Sequence, residues 1–292
     1  MSLPNIRLLE TPEALRLVEE LQRVVWPGSE TDIVPMHLLI TAVHNGGLVL
    51  GAFEEEKIIG FVFGFPGLEE TPDGPRAKHC SHMMGIHPDC RGAGVGFALK
   101  RAQWQMVRRQ GLDHATWTYD PLLSRNARLN IAKLGAVCST YRQSEYGEMR
   151  DRLNAGLPSD RFQVDWWIHS NRVKKRLSKN PRPLLDWNHI ARSGLRPFYA
   201  LRFSDLGLPH PPERLPPFED RLLLADIPHD FIHLKAQDFP LARDWRFFTR
   251  ELFESAFAKG FIVTDFAYGH DGEHPRGIYV LTHGDSALDE FE

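Results

Sequence analysis

The chain has 292 residues, of which 42% are apolar and 25% charged, and its formal net charge is −3. That length suits two domains, or one domain with a large extension. The balance suits a packed globular protein and provides no global field to draw in nucleic acid or an anionic membrane. Three cysteines, Cys80, Cys90 and Cys138, are too few for a disulfide scaffold and fit a reducing compartment. Residues 1–10 lack a cationic start followed by an apolar core, and no apolar run approaches bilayer length. The expected location is therefore the cytoplasm.

In chain order, residues 6–9 read as a short strand. Thr11-Pro12-Glu13 is a helix start, with Thr11 at the cap and Pro12 at the first helical position. Leu15, Val18, Leu21 and Val25 then recur at helical spacing, and Trp26-Pro27-Gly28 stops the helix. A second helix is expected over 35–44, closed by Asn45-Gly46-Gly47. Residues 48–53 and 58–65 are apolar runs around a charged turn and predict a hairpin. Residues 66–76 read as a turn-rich loop, and 79–86 as a strand.

The most informative stretch follows: Gly85-Ile86-His87-Pro88-Asp89-Cys90-Arg91-Gly92-Ala93-Gly94-Val95-Gly96. It reads as a strand end, a turn and a glycine-rich loop opening an amphipathic helix over 95–110. Such a helix start leaves N–H groups free to hold a pyrophosphate. A dinucleotide fingerprint needs Gly-x-Gly-x-x-Gly directly after a strand, and a P-loop ends in Gly-Lys-Ser/Thr; neither pattern is present. Beyond the loop helix, 114–119 is a strand, 126–134 a helix capped by Gly135, and 136–141 and 162–168 two more strands. Residues 171–182 carry six cations and read as a solvated linker or helix face rather than a nucleic-acid site. Residues 208–217 are proline-rich and extended. A strand (222–227), an amphipathic helix (241–259) and strands at 261–266 and 277–281 complete a second α+β unit.

At Pro88, Arg91, Gly94 and Gly96 the chain resembles the GNAT superfamily of acetyl-CoA-dependent N-acyltransferases, whose signature is Arg/Gln-x-x-Gly-x-Gly/Ala. The element order agrees over 6–170, and the whole layout resembles bacterial GNAT-like proteins with a long C-terminal extension. The resemblance implies an α+β GNAT fold, a mixed and mostly antiparallel central sheet flanked by helices, with a second smaller α+β unit. The expected organisation is a GNAT domain over 1–170, a basic linker over 171–190 and an extension over 191–292. The extension is open between a degenerate GNAT-like half and an unrelated cap.

The resemblance further implies an acyl-CoA-dependent N-acyltransferase, with acetyl-CoA or another acyl-CoA as co-substrate and no metal. The strand 83–86 offers N–H groups to the acyl carbonyl and pantetheine, which points to Met84 and Ile86, with Gly85 allowing a bend or close approach. Arg91, Gly92, Ala93, Gly94, Val95 and Gly96 would hold the pyrophosphate, and Asn126 is placed to bond pantetheine. The family's helix before Gly135 often carries a Tyr that protonates the leaving thiolate; Ile131 stands there, so water, Tyr119 or Tyr141 are the alternatives.

For the base, His82 has a suitable pKa and, under strict alternation, shares a strand face with Cys80 and Met84. Asp120 closes the neighbouring strand. These two are the catalytic candidates. His79 and His82, three apart on a strand, face oppositely and do not suit a shared metal. The segment 146–161 is open between lining the acceptor site, through Asp160, Arg161, Asp165 or Trp166, and a structural excursion. The acceptor is a small-molecule or protein amine; no nucleic acid or membrane partner is expected, and a homodimer is open. The alternative reading is a non-catalytic CoA-binding sensor or assembly module.

Overall fold

A computed structural model describes residues 4–28, 30–149 and 155–283. The chain divides into two compact units, Met1–Trp117 and Thr118–Glu292. The boundary expected at 170 falls inside the second unit.

In the first unit, β1 (Asn5–Leu8) leads to α1 (Pro12–Val25), whose start is fixed as the sequence predicts: Thr11 Oγ1 accepts the Ala14 N–H at 3.3 Å, with Pro12 in the first turn. The amphipathic face of α1 buries Leu15, Val18 and Leu21. Next come α2 (Met36–His44), β2 (Leu48–Glu54), β3 (Lys57–Thr71), β4 (Gly74–Ile86), α3 (Val95–Arg109) and β5 (His114–Tyr119), the last running across the unit boundary. The strands order β1-β2-β3-β4-β5, antiparallel except for β4 against β5. One apolar cluster lies on the α1–α2 side of this sheet, around Leu15, Leu39, Phe61 and Phe63. The other lies on the α3 side, around Leu50, Val62, Val95 and Leu99.

The turn-rich loop expected at 66–76 is instead the far end of a long hairpin, with β3 and β4 paired out to Thr71↔Gly74. Its prolines and charges suggested a loop, yet the pairing persists because Glu69 ties Arg76 (2.7 Å) and the β5 residue His114 (2.9 Å) to the arm.

The second unit holds α4 (Ser124–Ala127), β6 (Val137–Arg142), β7 (Arg161–Trp167), α5 (Asn171–Leu177), α6 (Trp187–Ser193), β8 (Arg202–Phe203), β9 (Pro209–His210), β10 (Leu222–Ile227), α7 (Phe231–Gln237), α8 (Phe239–Ala258), β11 (Phe261–Asp271) and β12 (His274–His283). Its main sheet orders β7-β6-β11-β12-β10. The helix expected over 126–134 is only one α-turn, followed by a π-helical segment, Arg128–Lys133, where Leu134 N–H donates to Leu129 O at 2.9 Å. Apolar spacing alone does not separate the two helix types.

The expected basic linker is largely built into this unit. Arg172 donates to Gly135 O at 2.9 Å, and Arg176 and Arg182 both reach Asp265 (2.8 and 2.6 Å). The extension does not repeat the first unit's start. The first unit begins strand, two helices, hairpin, and β10–β12 runs in the same order, but β10 pairs with the second strand of its hairpin, β12, whereas β1 pairs with the first, β2. Among the described residues no helix is long and apolar enough to cross a membrane.

Candidate active site

The site in the first unit begins at the edge of β4. His87 N–H donates to Ile59 O on β3 at 2.9 Å. Backbone direction alternates along a strand, so the Gly85 amide also points to β3, while those of Ile86 and Met84 point to the opposite edge. Among the described residues that edge pairs with β5 at His79↔Ala115 and Cys80↔Thr116. Beyond Cys80 the two strands part, and the Met84 and Ile86 N–H groups, both named from the sequence, face the gap.

The parting begins at a β-bulge. Met83 opposes Phe63 and Cys80 opposes Phe65, so Ser81 and His82 together oppose Gly64. Two residues against one re-aim the side chains beyond them. This corrects the expected alternation. His82 lies on the α1–α2 side, 5.9 Å from the rings of both Phe63 and Phe65, whereas Met84 packs into the cluster on the α3 side. His79 is also on the α3 side, bonded to Gln103, so His79 and His82 do face oppositely. His82 is exposed at its edge, and partial burial lowers its pKa, leaving a neutral imidazole at pH 7. Gly85 makes room for protein rather than for a bend: a Cβ there would stand 2.6 Å from Phe61 and 3.1 Å from Trp26.

After Ile86 the chain turns through His87–Cys90 into the glycine loop. Gly92 and Gly94 hold φ of +88° and +85°, which side-chain-bearing residues rarely adopt. Gly94 caps α3 without offering a side chain, and the first helical bond is Ala98 N–H to Gly94 O. Among the described residues the N–H groups of Gly92, Ala93, Gly94, Val95, Gly96 and Phe97 meet no acceptor. They form an anion cradle at the positive end of a 15-residue helix. The exposed Arg91 donates from Nε to Ile86 O at 3.4 Å, which holds its guanidinium beside the cradle.

The remaining candidates lie in the second unit. Asp120 is buried and engaged: Oδ1 accepts the Leu122 N–H at 2.9 Å, and Oδ2 is ion-paired with the buried Arg246 and stands 3.8 Å from Arg161. Asp160 is fully buried and receives Arg250 in bidentate fashion (2.7 and 2.8 Å), Tyr141 (2.9 Å) and the Ser144 N–H (3.0 Å). Burial opposes its ionisation, but these donors more than offset it and hold the carboxyl below its usual range. Trp166 is buried and donates to Leu134 O at 2.9 Å. Asp160, Arg161 and Trp166 thus brace the unit's interior.

Ile131, in the place of the expected Tyr, is fully buried. Tyr141 is bound to Asp160, and Tyr119 lies 3.1 Å from the Tyr279 hydroxyl; burial raises both phenol pKa values. Asn126 is half-buried, its N–H on Leu123 O at 2.8 Å. A separate cleft of about 650 Å³ lies between α8 and the β8–β9 ribbon, lined by Asp244, Phe247, Glu251, Arg202 and Pro212 among others. Among the described residues no group of three or more His, Cys, Asp or Glu is placed to hold a metal.

An α+β unit whose inner strand parts from its neighbour and runs into a row of free amides at a helix start has an arrangement that suits an extended anionic ligand. Residues 13–135 match the model of the acetyltransferase (GNAT) family, and this part of the chain is a GNAT domain. Solved structures similar to the chain include the ribosomal-protein-S18-alanine N-acetyltransferase of Escherichia coli (15% identity, TM-score 0.42, 56% of this chain and 93% of that one). Others are a GNAT-family acetyltransferase of Streptococcus pneumoniae (15%, 0.42, 55% and 98%) and Arabidopsis thaliana Naa50 in complex with the bisubstrate analogue CoA-Ac-MVNAL (18%, 0.42, 55% and 97%). No curated protein matches the chain.

Sequence reasoning missed the polar cluster on the α3 side of β4, formed by His79, Ser81, Lys100 and Gln103. One signal was present: Lys100 and Gln103 sit three apart on the helix face that also carries Leu99 and Val107.

Proposed function

We propose that the chain is an acyl-CoA-dependent N-acyltransferase that passes an acyl group, acetyl by preference, directly to an amine. The observation that carries this reading is the continuity of the Met84 and Ile86 amides with the Gly92–Gly96 cradle. An extended ligand with a pyrophosphate at one end and an amide-bearing arm at the other satisfies both. The cradle and Arg91 hold the phosphates, the Ile86 and Met84 amides align the arm, and a β4 N–H polarises the acyl carbonyl as negative charge develops on its oxygen. His82, neutral and exposed on the α1–α2 side, accepts the proton released by the attacking amine. Asp120 is assigned a positioning role, since its carboxylate is already engaged by Arg246.

Incubation of the pure protein with acetyl-CoA and a panel of amines, following free thiol, tests the reading. Turnover on at least one amine supports it; CoA binding without turnover on any acceptor or acyl chain counts against it. Arg91→Glu is expected to abolish the rise in thermal stability that CoA confers, without disturbing the fold, because Arg91 is exposed. Unchanged CoA affinity in that variant would remove the cradle as the site.

The buried Ile131 and the engaged Asp120 favour a second reading, a CoA-binding module without catalysis. It predicts CoA-dependent stabilisation with thiol release at background.

A further inference from the structure

Four polar side chains are enclosed under the inner end of the gap between β4 and β5. Lys100 is 2% exposed, Gln103 1%, Ser81 5% and His79 0%. Lys100 Nζ donates to Ser81 Oγ at 2.9 Å and to Gln103 Oε1 at 3.0 Å, and it stands 3.4 Å from the ring centre of Trp117 on β5. Ser81 Oγ donates to the same Gln103 oxygen at 3.0 Å. With that oxygen facing Lys100 and Ser81, the Gln103 amide group donates to His79 Nε2 at 3.1 Å.

Ser81 is the first β4 residue past the last rung shared with β5, Cys80↔Thr116. A ligand arm that enters from the Gly92–Gly96 cradle and runs inward along Ile86 and Met84 is stopped there by the closed pairing. Its reactive end therefore lies at Ser81. On the buried face of α3, Lys100 and Gln103 stand among the apolar Val95, Leu99 and Val107, and a buried amine carries a desolvation cost that an apolar residue would avoid.

We propose that Ser81 and Lys100 are the acid side of acyl transfer, Ser81 protonating the departing sulfur and Lys100, as a positioning and proton-supplying residue, acting through Ser81. The proposal rests on the acyl-CoA reading above. As the acceptor nitrogen forms its bond to the acyl carbon, the C–S bond breaks and its electron pair stays on sulfur. The Ser81 hydroxyl proton passes to sulfur, and a Lys100 ammonium proton passes to the Ser81 oxygen. The surplus proton of the acceptor leaves through His82 to water, and water reprotonates Lys100. Burial holds the Lys100 pKa well below its ordinary value, so it exchanges a proton more readily than a surface lysine. The groups facing it include Ser81, Gln103, the Trp117 ring, the neutral His79 and the Cys80 thiol, which burial keeps protonated; Lys78 acts on Cys80 from outside.

The test uses CoA itself and needs no acceptor. The thiol of bound CoA is titrated by its ultraviolet thiolate absorbance in the wild type, in Lys100→Met and in Ser81→Ala. In the wild type a thiolate–ammonium pair is expected to lower the thiol pKa by about one unit or more relative to free CoA. Lys100→Met is expected to restore the free value and Ser81→Ala to move it part of the way, both still binding CoA. The same thiol pKa in all three proteins would overturn the proposal. Ser81→Ala removes a single oxygen, so it keeps the test decisive where Lys100→Met fails to fold. Failure of the wild type to bind CoA would overturn the acyl-CoA reading, and this proposal with it.

Discussion

Gly64 has no room for a side chain: a Cβ there would stand 2.3 Å from His79 Nε2 and 2.7 Å from the Cys80 carbonyl oxygen. Gly64→Ala should cost about 1–3 kcal/mol, the usual range for overpacking. Gly67→Ala, three residues along the same strand with open space around its Cβ, should stay within about 0.5 kcal/mol; urea denaturation of the two variants measures both. His79 itself couples the fold to pH. Burial first, and Lys100 second, lower its pKa to about 3. The unfolded chain binds this proton as pH falls through about 6.5, but the folded chain does so only near 3. The stability is therefore full above pH 6.5 and is lost as pH falls toward 3, by up to roughly 5 kcal/mol. His79→Asn should flatten that part of the pH–stability profile, which denaturant titrations between pH 7 and 4 would show. Little of this was legible in the sequence. The sequence set His79 and His82 on opposite faces of the strand and against a shared metal, but it held no sign of the bulge at Ser81–His82 that parts His82 from Met84.

The loop and α3 are where sequence and structure agree most closely, because their signals are local. Pro88 ends the strand, glycines occupy the positive-φ positions, and the apolar spacing of α3 places Leu99 and Val107 on the sheet. Gly94→Ala puts the substitution to use. Its Cβ meets nothing within 4 Å, so the penalty is conformational alone, on the order of 1 kcal/mol. Since Gly94 orients the free amides at the start of α3, the larger expected effect is a several-fold loss of CoA affinity, read by calorimetry, beside a Tm shift of a few degrees. Elements decided by distant partners were not legible. The outer hairpin of β3 and β4 depends on Glu69, Arg76 and His114, which no local window brings together. The π-helical segment ending at Leu134 has the same apolar spacing as an α-helix.

At the scale of the whole chain, residues 118–170 share one compact unit with residues 171–292. Phe162 on β7 packs with Phe253 of α8 at 4.6 Å between ring centres and with Tyr279 of β12 at 5.5 Å. Cys138 on β6 pairs with Val263 on β11. The buried carboxylates Asp120 and Asp160 have their cations, Arg246 and Arg250, on α8. The sequence sets a boundary at 170 because the element order of the resemblance ends there; contacts across 90 to 126 residues of chain leave no local trace in it. A chain cut after residue 170 should therefore not hold its last third. It strips β6 of β11 and uncovers aromatic rings worth about 1.5–3 kcal/mol each when buried. It also leaves two interior carboxylates without partners, at about 3–5 kcal/mol per broken pair. Against a typical total of about 5–15 kcal/mol, those losses are decisive for this unit. Hydrogen exchange on the full chain and on the cut chain would show it: protection of β6 and β7 is expected only in the full chain. Equal protection in both would support residue 170 as a folding boundary and leave the α8 arginines as ornaments to a domain that folds without them.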